Sequence, residues 1–182
     1  EAKAGRRPVM VEIRSRENVV IGIDVGTTNI RGMLCDLDMR PLCKHQVETR
    51  VDHGFEKIME HIIAMSRDLQ SEAKARKKTV HGIGLAVAGL VNRTTGKVEF
   101  SPDFGWQDAN VYQTVKPALD CPVIIDNVTR VMALSELWHG IGRDYANFAC
   151  VNVGYGIGSG IVLNGEPIYG HHGLAGEFGH LT

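Results

Sequence analysis

The sequence predicts an α/β protein with many tight turns, and three observations point there. Glycine is abundant, 21 of 182 residues, whereas aromatic residues make up only 6%. Val, Ile and Ala recur in short runs, the composition of packed strands rather than of a helical bundle. Between those runs lies one long stretch of helical periodicity.

Charge and cysteine usage exclude several classes. The formal net charge of −1 leaves no nucleic-acid footprint over the whole chain, although Lys3, Arg6, Arg7, Arg14 and Arg16 make the first segment basic. Cys35, Cys43, Cys121 and Cys150 are far apart and form no Cys-x-x-Cys pair, which argues against a disulfide framework or a complete cysteine-based zinc site. A reducing, cytoplasmic setting is expected. No apolar run approaches the roughly 20 residues that span a bilayer, and the charged start lacks the apolar core of a signal peptide.

Taken in order, Glu1–Pro8 reads as a linker and Val9–Ile13 as an edge strand. Strands are expected over Val19–Asp24, Asn29–Asp36 and Lys44–Arg50, with turns at Asp36-Leu37-Asp38 and Arg40-Pro41, an antiparallel meander. From Phe55 to Arg76 the apolar residues keep a period near 3.6, giving an amphipathic helix. The Lys74, Arg76, Lys77 and Lys78 cluster suits the negative end of its macrodipole. His81–Gly89 reads as a strand buried on both faces. Leu90–Asn92 and Lys97–Phe100 flank a turn, and Ser101–Trp106 is a polar loop with an aromatic wall. A helix over Val111–Leu119 precedes the strand Cys121–Asn127. A second helix, Arg130–His139, closes at Gly140. Phe148–Val153 is a further strand, and Ile161–Ile168 a hairpin turning on Asn164-Gly165.

Four places carry chemistry. Asp24, Gly26, Thr27 and Thr28 form a turn that serves either as a phosphate cradle or simply as a hairpin turn. Asp126 and Asn127 end a buried strand where ligands gather in α/β sheets; Asn127 or Thr129 is equally suited to cap the helix that follows. Gly154, Gly156, Gly158 and Gly160 alternate, stripping one face of side chains so that backbone N–H groups can meet a phosphate or an opposing loop. Glu177 and His180, three apart, fall on one side of a helical turn, suited to polyol hydroxyls or a metal.

Together the Asp24-x-Gly26-Thr27-Thr28 turn, the strand ending at Gly89, the alternating glycines and Leu174-Ala175-Gly176-Glu177-Phe178-Gly179-His180 resemble the ROK family (repressor, open reading frame, kinase). The resemblance implies an α/β fold of the actin-like, hexokinase-like ATPase (ribonuclease-H-like) type. It divides the chain into a linker stub and edge strand (1–18), an N-terminal lobe (19–122) and the start of a truncated second lobe (123–182). It places Gly89, Asp103, Asn127, Glu177 and His180 around a monosaccharide and assigns Asp24, Gly26, Thr27, Thr28, Gly154, Gly156 and Gly158 to a nucleotide phosphate loop. His180 would be one ligand of a structural zinc whose other ligands lie beyond the chain end.

Two departures decide the expected branch. Ala133-Leu134-Ser135-Glu136 fixes a register in which the kinases' catalytic Asp falls on Val128, so no catalytic base is expected and phosphoryl transfer should be largely lost. Asp126, one residue earlier, points to the opposite face of the strand. Tyr155 stands where kinases carry a phosphate-contacting Thr, which weighs against ATP and magnesium binding. Gly5-Arg6-Arg7-Pro8 matches the connector that follows a winged helix-turn-helix in the family's repressors. The expectation is therefore the effector-sensing part of a sugar-responsive transcriptional repressor. Its partners would be a monosaccharide and, through an N-terminal domain outside this chain, operator DNA; the full-length protein would form a homodimer or homotetramer. An ATP-dependent, glucokinase-like sugar kinase is the alternative.

Overall fold

The computed structural model describes residues 17–154, 156–171 and 173–178. The linker, the edge strand Val9–Ile13, Tyr155 and His180 lie outside the described residues. In β1 (Asn18–Val25) the apolar side chains Val19, Ile21, Ile23 and Val25 alternate onto one face and are at most 2% exposed. The turn at Gly26–Thr28 leads into β2 (Asn29–Asp36), and β3 (Pro41–Glu48) completes an antiparallel meander. Asp36 makes that second turn: its Oδ1 accepts the backbone N–H of Asp38 at 3.0 Å and of Arg40 at 2.9 Å.

Helix α1 (Gly54–Ala75) buries Ile58, Met59, Ile62, Met65, Leu69 and Ala73. It lies so close to β2 that a Cβ on Gly32 would sit 2.5 Å from the Met65 sulfur. Strand β4 (Thr79–Val87) runs parallel to β1. A separate sheet follows, made of β5 (Leu90–Asn92), β6 (Lys97–Ser101) and β7 (Trp106–Ala109). Trp106 stacks on Phe104 at 4.4 Å and meets Phe55 of α1 edge-on at 5.2 Å, which fastens this sheet to the helix.

Beyond the short α2 (Val111–Val115), β8 (Val123–Asn127) pairs in parallel with β4, from Ile83↔Val123 to Val87↔Asn127. The main sheet thus has the order β3-β2-β1-β4-β8. The strand from residue 123, with which the second lobe was expected to open, is hydrogen-bonded into this same sheet. Helix α3 (Val128–His139) starts without a gap and packs against a third sheet of β9 (Phe148–Val153), β10 (Ile157–Leu163) and β11 (Glu166–Pro167), ordered β11-β10-β9. No helix among the described residues is long and apolar enough to cross a membrane.

Candidate functional site

The parallel strands β1, β4 and β8 present their carboxyl ends side by side, which brings Asp24, Gly89 and Asn127 together from distant parts of the sequence. Two adjoining cavities open there. One, of about 190 Å³, is lined by Gly89, Asp103, Asn127, Glu177 and Gly158 among others. The second, of about 420 Å³, is lined by Asp24, Gly26, Thr27, Thr28, Gly154 and Gly156. Ala88, Asp103, Val128, Asn152 and Gly156 border both, so the Val128 isopropyl group stands on their common wall. Four of the five residues expected at the sugar therefore converge, and His180 is the one outside the described residues.

Backbone geometry explains why this corner needs its glycines. Gly89 has φ +117°, and a Cβ there would lie 2.5 Å from the Phe100 carbonyl oxygen. The alternating run splits into two roles. Gly154 and Gly156 have nothing within 4 Å of where a Cβ would be, leaving their backbone open to a ligand. In contrast, a Cβ on Gly158 would lie 2.7 Å from the Thr129 methyl, and one on Gly160 2.4 Å from the Thr129 carbonyl oxygen. The run is thus half turn and half strand: Gly158 borders the first cavity, where it lets β10 close on α3.

Asn127 is 6% exposed and caps α3. Its Oδ1 accepts from the backbone N–H of Thr129 at 2.8 Å and of Arg130 at 3.2 Å, and its Nδ2 donates to the Gly89 carbonyl at 2.8 Å. Capping consumes the oxygen, so toward a ligand Asn127 has only a second Nδ2 hydrogen to offer. Asp126 is tied down as well: Oδ1 accepts from the Asn127 N–H at 2.8 Å and from Arg130 Nε at 2.7 Å. It borders neither cavity; it faces a groove of about 610 Å³ on the opposite sheet face, with Gly22, Gly84 and Ile124. The carboxylates that do border the two cavities are Asp24, Asp103 and Glu177. Burial pushes the Asp24 carboxyl up, opposed in part by the Arg31 charge.

Residues outside the expected set also shape this corner. Thr49 is fully buried and donates its N–H to the Thr28 carbonyl at 3.0 Å and its hydroxyl to that of Gly26, fixing the first turn from the end of β3. Ser159 donates its hydroxyl to the Gly176 carbonyl at 2.7 Å and so docks the Glu177 loop on β10. Asn152 borders both cavities; its signal was a polar residue inside the apolar run Phe148–Val153. Among the described residues no three His, Cys, Asp or Glu side chains come together as a metal site, and His180, the expected zinc ligand, lies outside them.

A family model described as ROK family matches residues 20–182. The chain is 34% identical over 181 residues to a protein of Caldicellulosiruptor sp. (strain Rt8B.4) that carries the provisional name of xylose repressor, covering all of this chain and 45% of that one. It is 32% identical over 163 residues to the glucokinase of Halalkalibacterium halodurans, covering 89% and 49%. The crystal structure of a ROK family glucokinase from Streptomyces griseus in complex with glucose and AMPPNP superposes with a TM-score of 0.79 at 28% identity, over 90% of this chain and 50% of that one. The chain spans about half the length of the curated relatives it matches. Its five-stranded sheet is the hexokinase-like, actin-like fold of those relatives, and the chain belongs to the ROK family.

Proposed function

We propose that this chain is the sugar-sensing portion of a ROK transcriptional regulator, in which a monosaccharide occupies the cavity of Gly89, Asp103, Asn127 and Glu177. The observation that carries this reading is the aliphatic side chain of Val128 on the wall between the two cavities. A sugar hydroxyl there would meet a group able neither to accept its proton nor to orient it, and general-base catalysis is worth about 10²- to 10⁴-fold. Repressor likeness extends over the whole chain, including Gly5-Arg6-Arg7-Pro8, whereas the glucokinase match covers 89% of it. In the full-length protein, sugar binding would shift the arrangement of a dimer or tetramer and hence operator affinity, by as much as the sugar prefers one arrangement over the other.

The second reading, an ATP-dependent sugar kinase, is favoured by the second cavity, where Asp24, Gly26, Thr27, Thr28, Gly154 and Gly156 retain a shape and donor set that fit a polyphosphate. Both readings need a sugar site, and calorimetric titration of the full-length protein with D-xylose and D-glucose tests it. Saturable binding to one of them is expected. Glu177→Gln removes a charged acceptor and is expected to weaken that binding about 10- to 100-fold, the worth of a hydrogen bond to an ionised group. Binding unaffected by Glu177→Gln would place the sugar elsewhere.

A further inference from the structure

Three segments meet at one tyrosine ring. Tyr169, which follows β11, has the guanidinium carbons of Arg93 and of Arg130 each 4.9 Å from its centroid. Arg93, from the turn between β5 and β6, donates to the Tyr169 hydroxyl at 2.9 Å and lies 4.0 Å from Asp126 Oδ2 through its Nε. Arg130 is 4% exposed. Its Nε donates to Asp126 Oδ1 at 2.7 Å, its Nη1 donates to the Gly173 carbonyl at 3.3 Å, and its face lies against the tyrosine.

Gly173 is four residues before Glu177, in a segment folded on itself by the Ala175 N–H to the Tyr169 carbonyl at 3.2 Å. On the other side, Asp126 and Arg130 flank Asn127 at the β8–α3 corner. One guanidinium therefore joins the strand end that supplies Asn127 to the loop that supplies Glu177. A buried ion pair is weak evidence for stability, since apolar replacements of both partners are often neutral. What the planar guanidinium adds is direction: one edge for a carboxylate, another for a carbonyl, and a face for a ring, which a lysine cannot offer at once.

We propose that Arg130 is a positioning residue for effector recognition: with Tyr169 it clasps the Tyr169–Glu177 loop to the β8–α3 corner, so that Glu177 and Asn127 address the same ligand. The clasp rests on the reading that Glu177 faces the sugar, and its test is built to separate the two. Arg130→Lys keeps a cation against Asp126 while losing the bond to Gly173 and the ring face. Tyr169→Leu removes the ring without touching the ion pair.

In the full-length protein, hydrogen–deuterium exchange over residues 169–178 is expected to quicken roughly 3- to 10-fold in both variants, the worth of about one hydrogen bond, with α1 unchanged. Calorimetry with D-xylose and D-glucose is expected to show a similar loss of affinity. In a Glu177→Gln background, Arg130→Lys should cost little more, because the loop then has no charged group to position. Unchanged exchange over 169–178, or affinity losses that simply add, would overturn the clasp. Should the unaltered protein bind neither sugar, the sugar reading falls, and the exchange comparison still decides whether Arg130 holds the loop.

Discussion

Val128→Asp in the full-length protein is expected to raise ATP-dependent phosphorylation of the bound sugar by about 10²- to 10⁴-fold over the unaltered protein, the usual worth of a general base. The side chain sits at the first position of α3, on the wall shared by both cavities. A carboxylate there would reach a sugar hydroxyl on one side and the phosphate side of the cleft on the other. Phosphoryl transfer through a loose transition state asks for alignment more than for strong basicity, and the helix N-terminus keeps such a carboxylate ionised. ADP release in a coupled assay is the measurement. If ATP and sugar both bind the variant and no turnover appears, Val128 is not what separates this protein from the kinases.

Asp126→Ala is expected to cost about 3–5 kcal/mol of stability, because it leaves the Arg130 guanidinium buried without its carboxylate. An unpaired charge held at 4% exposure has no water to turn to, and Arg93 brings a second cation nearby. The midpoint of urea unfolding measures the loss. Replacing both partners, Asp126→Leu with Arg130→Met, should recover most of it, since the cost lies in breaking the pair rather than in lacking one. Equal losses for the single and double replacements would mean that the pair matters through its other contacts, to Asn127 and Gly173.

Legibility followed the range of the interactions. The β1–β3 meander and α1 could be read because their burial is written in local periods of two and 3.6 residues, whereas β4, expected to be buried on both faces, buries Ile83, Leu85 and Val87 and leaves Gly84 exposed. Strand β7 begins at Trp106, the end of the expected loop, and had no local signal: Gln107 and Asp108 are exposed, and only pairing with β6 makes the segment a strand. Joining β8 to the first sheet depends on its parallel partner β4, some 40 residues earlier in the chain, which no local pattern reports. The alternating glycines looked uniform, yet half of them answer to Thr129 and Ala133 on α3 and half to open space. At the site, Gly89, Asp103, Asn127 and Glu177 line one cavity, a convergence of four distant segments that no local pattern reports. Asn127 turned out to be both cap and cavity wall, since a helix begun directly at a strand end needs its first N–H groups satisfied there.

The central claim is that a sugar is recognised here without being phosphorylated. Its most direct test is a coupled ADP-release assay on the unaltered full-length protein, with ATP, magnesium and whichever of D-xylose or D-glucose binds by calorimetry. The expected result is heat of sugar binding with ADP release at least about 10²-fold below ordinary kinase turnover. Turnover of roughly 1 to 100 per second, abolished by Asp103→Asn, would contradict it and assign the base to the carboxylate that borders both cavities.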